Sequence, residues 1–330
     1  MTKKILNSPA ACPSQMLDGF LAAHGGTCER VPGVSGLRVR QVRDKVALVI
    51  GGGSGHEPMF TFFVGDGLAD AAAAGNVFAS PDPNTIVQTA RAVDAGKGVL
   101  FVYGNYSGDN LNFDIAAEML EEMGVPTRTV RVWDDVASAP AQRIKDRRGI
   151  AGDLFVIKIA GAATAAGLSL DEAWRVAAKA RDGVFSIGVG LAGAAIPGES
   201  EPIFTLPEGE IEFGLGIHGE PGIRRMPLPG ADELTDLLVD TLFAETGVSA
   251  GDRVCTCVNG LGSTTLMELY IMNRRLRQRL DCAGVEIHDM QVGSYVTSQE
   301  MAGASISLLR LDGELAGYFD RPCSSPHYRR

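Results

Sequence analysis

Residues 46–58 read VALVIGGGSGHEP, an apolar run that ends in a glycine-rich turn. A short apolar run closed by glycines is typical of a buried strand that turns at its carboxyl end. The segments VLFVY (99–103) and TVRV (129–132) repeat the apolar pattern, and helical periodicity at residues 82–95 and 114–123 separates the three runs. Strands that alternate with helices in this way predict an α/β domain with a largely parallel sheet.

The pattern continues along the rest of the chain. After a strand predicted at residues 154–159, the sequence Ser169-Leu-Asp-Glu172 has the spacing of a capping box and begins a helix. Beyond Gly183 the sequence becomes rich in glycine and β-forming residues, so we place a domain boundary at residue 184. Two α/β domains are thus predicted, residues 1–184 with a largely parallel sheet and residues 185–330 with a mixed one. The other predicted elements are helices at 9–23, 170–181, 231–245 and 263–280, and strands at 253–259, 285–292 and 305–311.

The composition narrows the classes of function. The 330 residues include 30 Lys and Arg against 40 Asp and Glu, a net charge of −10 that disfavours binding to nucleic acid or an anionic membrane. The first residues, MTKKILNSPA, lack the apolar core of a signal peptide, and no run of about eighteen apolar residues occurs. We therefore expect a cytoplasmic protein that binds neither nucleic acid nor membrane.

Six cysteines are scattered along the chain, and Cys255 and Cys257 form the one close pair. Because side chains alternate along a strand, the two thiols of RVCTCVNG point to one face. The pair lacks the Cys-x-x-Cys spacing and the second cluster of a zinc site. We predict buried free thiols and no metal on this chain.

Two of the five histidines lie in glycine-flanked turns that end in Glu-Pro, His56 in GGGSGHEP and His218 in FGLGIHGEPG. Glycine allows close approach and unusual backbone angles, so each imidazole has room to meet a small ligand. The alternative for each histidine is a structural hydrogen bond inside its turn. The occurrence of the same arrangement twice favours a site.

The loop GGGSGHEP lacks the residues of a nucleotide site. A P-loop ends in Gly-Lys-Ser/Thr, and the dinucleotide fingerprint requires a glycine where His56 stands. The backbone N–H groups at Gly53 and Ser54 remain suited to hydroxyl or carbonyl oxygens of a small polyol. A second glycine turn, VNGLGSTTLMEL at 258–269, precedes a helix whose N-terminus is either capped by Ser263 or open to an anion.

A carboxylate follows the predicted strand at 99–103. The segment GNYSGDNLNFD (104–114) places Asp109 near the carboxyl end of that strand, where ligands collect in open α/β sheets. The alternative is that Asp109 caps the helix that follows. The segment NVFASP (76–81) also leads into a helix and is predicted to present Ser80 to the same crevice.

Taken together, these segments resemble the substrate-binding K subunit of dihydroxyacetone kinase, the DhaK family. The similarity runs nearly from end to end, through KKILNSPA, GGGSGHEP, GNVFASP, NYSGDNLNF, RRGIAG, KIAGAA, FGLGIHGEPG and VNGLGSTTLMELY. The resemblance implies an α/β homodimer that binds a short ketose and no cofactor of its own. It also implies a separate L subunit that carries the nucleotide with Mg, either ATP or an ADP that a phosphotransferase-system protein rephosphorylates.

The resemblance further implies roles for three side chains. The family's histidine that forms a hemiaminal with the substrate falls on His218, its acid/base histidine on His56, and its catalytic or hydroxyl-orienting aspartate on Asp109. A neutral imidazole nitrogen can add to a ketone, whereas glycerol has no carbonyl to attack. Selection of ketoses would thus rest on a covalent bond.

Contacts to the substrate are implied in the same way at Gly53, Ser54 and Ser80. One position departs from the family, because Gly104 precedes Asn105-Tyr106 where a lysine is common. The missing cation and the added space at Gly104 widen the expected substrates from dihydroxyacetone to a C4 ketose such as erythrulose.

Two functions follow from these observations. The favoured one is a ketose-kinase subunit that phosphorylates a terminal hydroxyl together with its L subunit. The alternative is a non-catalytic ketose-sensing coactivator, a role that some paralogues in the family have; retention of Asp109 beside both histidines favours the kinase. A metal-dependent hydrolase is disfavoured because no His-x-x-x-His motif accompanies His56 or His218.

Overall fold

A computed structural model describes residues 3–330 and divides them into two compact units, each assembled from separate stretches of the chain. The first unit comprises residues 3–132, 155–182 and 315–330, and the second comprises 133–154 and 183–314. One crossing, between residues 182 and 183, lies beside the boundary predicted at residue 184. The continuous division into 1–184 and 185–330 stays a prediction about domains that fold independently.

The first unit contains a six-stranded sheet within residues 28–132. Its strands are β1 (Cys28–Arg30), β2 (Gly36–Val39), β3 (Ala47–Ser54), β4 (Ala71–Val77), β5 (Val99–Gly104) and β6 (Thr127–Val132), in the order β1-β2-β4-β3-β5-β6. The pairs β4/β3, β3/β5 and β5/β6 are parallel, and β1 and β2 add an antiparallel edge. This confirms the largely parallel sheet.

Helices accompany these strands, and those between β4 and β5 and between β5 and β6 confirm the predicted alternation. The helices are α1 (Cys12–His24), α2 (Pro83–Arg91), α3 (Ser107–Glu122), α4 (Asp153–Ala165) and α5 (Leu170–Asp182). Every residue of β5 is buried, as expected for a central parallel strand. Side chains from β5 and α3 join in the core, where the rings of Tyr103 and Phe113 stack with their centroids 4.2 Å apart.

The second unit contains a mixed six-stranded sheet within residues 184–311. Its elements are β7 (Val184–Ala192), β8 (Glu210–Phe213), β9 (Arg224–Pro227), α6 (Ala231–Thr246), β10 (Arg253–Gly260), α7 (Leu266–Cys282), β11 (Glu286–Gly293) and β12 (Ala302–Leu311), and α8 (Gly313–Phe319) follows. The strand order is β11-β10-β12-β7-β8-β9, with β10/β11 parallel and the other pairs antiparallel. The predicted class of two α/β folds, one largely parallel and one mixed, is confirmed.

One predicted strand is wrong. Residues 154–159 belong to α4, which is buried along almost its whole length. A helix that is buried on all sides carries apolar residues on every face, so its sequence has no helical period to distinguish it from a buried strand.

The first residues of two helices can be compared with the N-caps predicted from the sequence. Ser169 and Glu172 form the capping box, because the Ser169 N–H donates to Glu172 Oε2 at 3.0 Å and the Glu172 N–H donates to Ser169 Oγ at 3.4 Å. At α7 the cap is Thr265, whose backbone N–H donates to Glu268 Oε2 at 2.8 Å. Ser263 is therefore not the N-cap of that helix.

Cys255 and Cys257 are both fully buried, as predicted, and neither forms a disulfide. Within residues 3–330, no cluster of three or more histidine, cysteine or acidic side chains is arranged to hold a metal ion. Over the same residues, none of the helices combines the length and the apolar character needed to cross a bilayer.

Candidate functional site

The first group of predicted residues lies beyond the carboxyl ends of three adjacent parallel strands. β3 ends at Ser54 before His56, β4 ends at Val77 before Ser80, and β5 ends at Gly104 before Asp109. Because β4, β3 and β5 are neighbours in the sheet and run in the same direction, these groups share one edge. This edge is where open α/β sheets bind ligands.

His56 is buried at this edge, with 2% of its surface exposed. Its ring lies 5.1 Å, centroid to centroid, from the ring of Phe78 in the loop after β4. Ser54 Oγ donates to the carbonyl of Gly75 at 2.7 Å. Since a serine has one hydroxyl proton, the hydroxyl of Ser54 remains available to a ligand as an acceptor.

The glycines of this loop have a packing role. A Cβ at Gly53 would lie 2.8 Å from the backbone nitrogen of Ala79 and 3.0 Å from Cα of Phe78. A Cβ at Gly52 would lie 2.2 Å from the ring of Phe60. Glycine is therefore required for the loops to close over the end of β3, whether or not Gly53 also contacts a substrate.

Asp109 lies in the first turn of α3, and Tyr106 occupies the N-cap position. Asp109 is therefore not the N-cap residue of this helix. The loop before α2 packs on the same turns, because Asn112 Nδ2 donates to the carbonyl of Pro81 at 2.9 Å. A Cβ on Gly108 would lie 3.6 Å from Cβ of Ser80, so Ser80 is next to the turn that carries Asp109.

Gly104 is the buried last residue of β5, where the chain turns toward α3. The turn is held by two backbone hydrogen bonds, from Asn105 N–H to the Val132 carbonyl at 2.8 Å and from Tyr106 N–H to the Gly104 carbonyl at 2.9 Å. Asn110 Nδ2 also donates to Asn105 Oδ1 at 2.9 Å. Gly104 therefore lies at the same sheet edge as Asp109.

His218 lies in the second unit, in the loop between β8 and β9. Its side chain is 24% exposed, and Nδ1 lies 3.2 Å from Glu220 Oε1. The backbone N–H of His218 donates to the other oxygen of the same carboxylate at 2.9 Å. The backbone reverses at Gly214 and Gly219, which have φ angles of +85° and +84° that favour glycine.

The contact with Glu220 distinguishes the two ring nitrogens. Burial raises the pKa of Glu220. The hydrogen bond and charge of His218 and the charge of Arg148 outweigh this effect and lower the pKa to about 2. Glu220 is therefore a carboxylate at neutral pH and accepts a hydrogen bond from Nδ1–H. In the neutral imidazole this tautomer places the lone pair on Nε2.

Arg148 lies next to Glu220 and in turn contacts Asp135. Arg148 Nη1 is 3.7 Å from Glu220 Oε2, and Arg148 Nη2 is 2.8 Å from Asp135 Oδ2. Burial raises the pKa of Asp135 to about 7, although the charge of Arg148 opposes that shift. The sequence contains the Glu-Pro pair after His218 and the segment RRGIAG, but neither pattern predicts a role for Glu220, Arg148 or Asp135.

The predicted site residues are thus found in two groups. His56, Ser80, Gly104 and Asp109 share one sheet edge in the first unit, and His218 belongs to the second unit. Their assembly around one substrate, and the substrate contacts predicted for Gly53 and Ser54, stay predictions.

Known proteins match this chain along nearly its whole length. The Dak1 domain model matches residues 18–327. The chain is 42% identical to the dihydroxyacetone-binding subunit DhaK of PTS-dependent dihydroxyacetone kinase 2 from Listeria innocua, over 99% of both chains. It is also 42% identical to an L-erythrulose kinase from Pectobacterium atrosepticum, over 99% of this chain but 56% of that protein.

Solved structures show the same fold. The dihydroxyacetone kinase from C. freundii in complex with AMP-PNP and Mg²⁺ superimposes with a TM-score of 0.92 at 30% identity, covering all of this chain and 61% of that one. The dihydroxyacetone kinase operon co-activator DhaQ gives a TM-score of 0.89 at 33% identity, over 94% of this chain and 96% of that one. With the match to the Dak1 domain and the end-to-end similarity to a DhaK subunit, the chain is a member of the dihydroxyacetone kinase family, in its substrate-binding DhaK branch.

Proposed function

We propose that this chain is the substrate-binding subunit of a ketose kinase, which holds dihydroxyacetone or a C4 ketose as a hemiaminal on Nε2 of His218. The observation that carries the proposal is the contact between Nδ1 of His218 and the ionised Glu220, in a loop that leaves the imidazole partly exposed. A partner L subunit with bound nucleotide supplies the phosphoryl group.

The chemistry of capture follows from this contact. The lone pair of Nε2 attacks the ketone carbon, a C–N bond forms, and the carbonyl oxygen takes up a proton to become a hydroxyl. The imidazole gains positive charge as the bond forms, and the carboxylate of Glu220 at 3.2 Å stabilises that charge. Glycerol has no carbonyl carbon and forms no adduct.

His56 and Asp109 complete the proposed reaction. His56 exchanges the proton of the carbonyl oxygen, and Asp109 orients the terminal hydroxyl and accepts its proton during phosphoryl transfer. The phosphoryl donor is placed on a partner, either ATP or an ADP rephosphorylated by a phosphotransferase-system protein. Two relatives support this division, since the nucleotide-bound kinase is longer than this chain and the DhaK subunit that matches end to end is named a dihydroxyacetone-binding subunit.

The size of the ketose is the second part of the proposal. Gly104 has no side chain at the sheet edge that carries Asp109, and we propose that this position accommodates a fourth carbon. The 42% identity to an L-erythrulose kinase supports a C4 substrate, and the equal identity to a DhaK subunit supports dihydroxyacetone. We further propose that the chain acts in the cytoplasm as a homodimer, which sedimentation velocity of the purified protein tests.

Intact-mass spectrometry tests the capture step. With dihydroxyacetone or erythrulose, the protein should gain the mass of the whole ketose without loss of water, and with glycerol it should gain nothing. His218→Gln should abolish the adduct, whereas His288→Gln, a change of another histidine in the second unit, should keep it. An adduct that survives in His218→Gln would show that the ketose is held elsewhere.

Phosphoryl transfer separates the kinase from a sensor of the kind that the co-activator relative exemplifies. With a cognate L subunit, Asp109→Asn should lower kcat by roughly 10² to 10⁴, the usual contribution of general-base catalysis, while the adduct persists. A wild-type protein that forms the adduct yet turns over no ketose with any donor partner would favour the sensor.

A further inference from the structure

Three ionisable side chains lie in a row behind His218 in the second unit, namely Glu220, Arg148 and Asp135. We propose that Arg148, anchored by Asp135, is a positioning residue that holds the Glu220 carboxylate against Nδ1 of His218 and so directs Nε2 to the substrate carbonyl. The inference rests on the proposed capture of a ketose by His218.

Arg148 has the geometry of a bridge. Its Nε and Nη2 both contact Asp135 Oδ2, at 3.0 and 2.8 Å, so one edge of the guanidinium is fixed. The remaining nitrogen, Nη1, faces Glu220 Oε2 at 3.7 Å. Because the guanidinium is planar and rigid, fixing one edge also fixes the direction of the other.

Asp135 is a rigid anchor for this bridge. Its side chain is fully buried, and Oδ1 accepts the N–H of Ala137 at 3.0 Å. The backbones are joined as well, since Asp135 N–H donates to the Arg148 carbonyl at 3.1 Å and Ser138 Oγ accepts the Arg148 N–H at 3.0 Å. The arginine therefore leaves a segment that is held at both its backbone and its side chain.

The His218 loop is shaped to receive the bridge. A Cβ at Gly216 would lie 2.3 Å from Glu220 Oε2 and 2.4 Å from Arg148 Nη1. A side chain at position 216 would push the Glu220 carboxylate or the Arg148 guanidinium aside, whereas glycine lets the loop lie against both groups. Glu220 belongs to this loop, and its carboxylate lies against Arg148. The backbone N–H of His218 donates to the same carboxylate.

The attraction between the charges of Arg148 and Glu220 stabilises this arrangement. The side chains of Arg148 and Glu220 are 13% and 31% exposed, so solvent screens their attraction only in part. The charged groups that face Glu220 are His218 and Arg148, with Asp135 behind the arginine. Removing Arg148 would take away one of the groups that hold the Glu220 carboxylate in place. The carboxylate would then turn away from Nδ1 of His218 more readily.

The test compares Arg148→Met and Arg148→Lys with Arg253→Met, which breaks another arginine–carboxylate pair of the second unit, to Glu286 at 2.7 Å. The dissociation constant of the dihydroxyacetone adduct, KM and kcat with the L subunit, and thermal unfolding are measured for each variant. Arg148→Met should weaken the adduct by roughly 10-fold to 100-fold, as for other groups that orient a functional histidine, and should raise KM more than it lowers kcat. Its adduct should also be lost at a higher pH on acidification, because the pKa of Glu220 rises without the arginine.

Arg148→Lys keeps the charge but has no fork, so a loss smaller than that of Arg148→Met is expected. It is the deciding variant if Arg148→Met does not fold. Wild-type affinity in a folded Arg148→Lys or Arg148→Met protein overturns the inference, as does an equal loss in Arg253→Met. If wild type forms no adduct, or if His218→Gln still forms one, the result refutes the proposed function and does not bear on the role of Arg148.

Discussion

At the residue scale, the electrostatics of Glu220 predict how stability depends on pH. Its pKa in the folded protein is about 2, well below the ordinary glutamate value of 4.5, so ionisation of Glu220 stabilises the fold above about pH 4.5. That contribution is lost as the pH falls from about 4.5 to about 2. We expect the free energy of unfolding of wild type to fall more steeply across this window than that of Glu220→Gln.

Denaturant unfolding at several pH values measures this difference. Glu233→Gln, which removes a carboxylate from the first turn of α6, is the control for a general change in net charge. Parallel pH profiles for wild type and Glu220→Gln would contradict the stabilising role of the ionised Glu220.

The sequence predicted the two histidine loops and the placement of Asp109 after a strand, because glycine clusters and strand ends are local patterns. It did not predict the partners of His218. Arg148 and Asp135 come from a segment before β7, and their contact with the loop depends on how the second unit folds. A salt bridge between segments far apart in the chain has no signature in a single sequence.

At the scale of elements, two glycines are predicted to respond oppositely to the same substitution. Gly19 is an exposed residue inside α1, and a Cβ there would meet no atom within 4 Å. Gly19→Ala should therefore stabilise the protein by about 0.5–1 kcal/mol, because alanine loses less backbone entropy in a helix. Gly53→Ala should destabilise it by roughly 1–3 kcal/mol, because its Cβ would collide with the backbone at Ala79.

Urea denaturation of the two variants and wild type gives both values, and each variant is the control for the other. A Gly53→Ala protein as stable as wild type would mean that the loop after β4 moves aside at little cost. The glycine would then be explained by ligand contact instead of packing.

The elements that the sequence missed share a physical cause. β4 reads AAAAGNV, and alanine has a low intrinsic preference for strands, yet the segment pairs with β2 and β3 in the middle of the sheet. β1, β2 and β9 have three or four residues each, too few for a periodic pattern. The sequence of α4 resembles that of a buried strand because it is apolar on every face. In each case tertiary packing decided the conformation.

At the scale of the whole molecule, the first unit depends on the end of the chain. Residues 315–330 belong to it, and Phe319 is fully buried there, with its ring centroid 6.0 Å from that of Phe155 and the guanidinium of Arg330 4.0 Å above it. Ser324 bridges to Asp66 in the same unit. The alternation of strands and helices predicts the fold class, but it carries no sign of this return of the chain.

The first unit is expected to be unstable without residues 315–330. A fragment of residues 1–184 has every strand of the first sheet but lacks Phe319 and its neighbours, so we expect it to show no cooperative unfolding transition. In the full chain, Phe319→Ala should cost about 3–5 kcal/mol, the usual cost of truncating a buried phenylalanine, whereas Leu111→Ala, at a position 62% exposed, should cost little. Urea denaturation followed by circular dichroism measures all three. A fragment 1–184 that unfolds cooperatively would instead support a continuous domain ending at residue 184, because the strands and helices before that point would then suffice for a stable core.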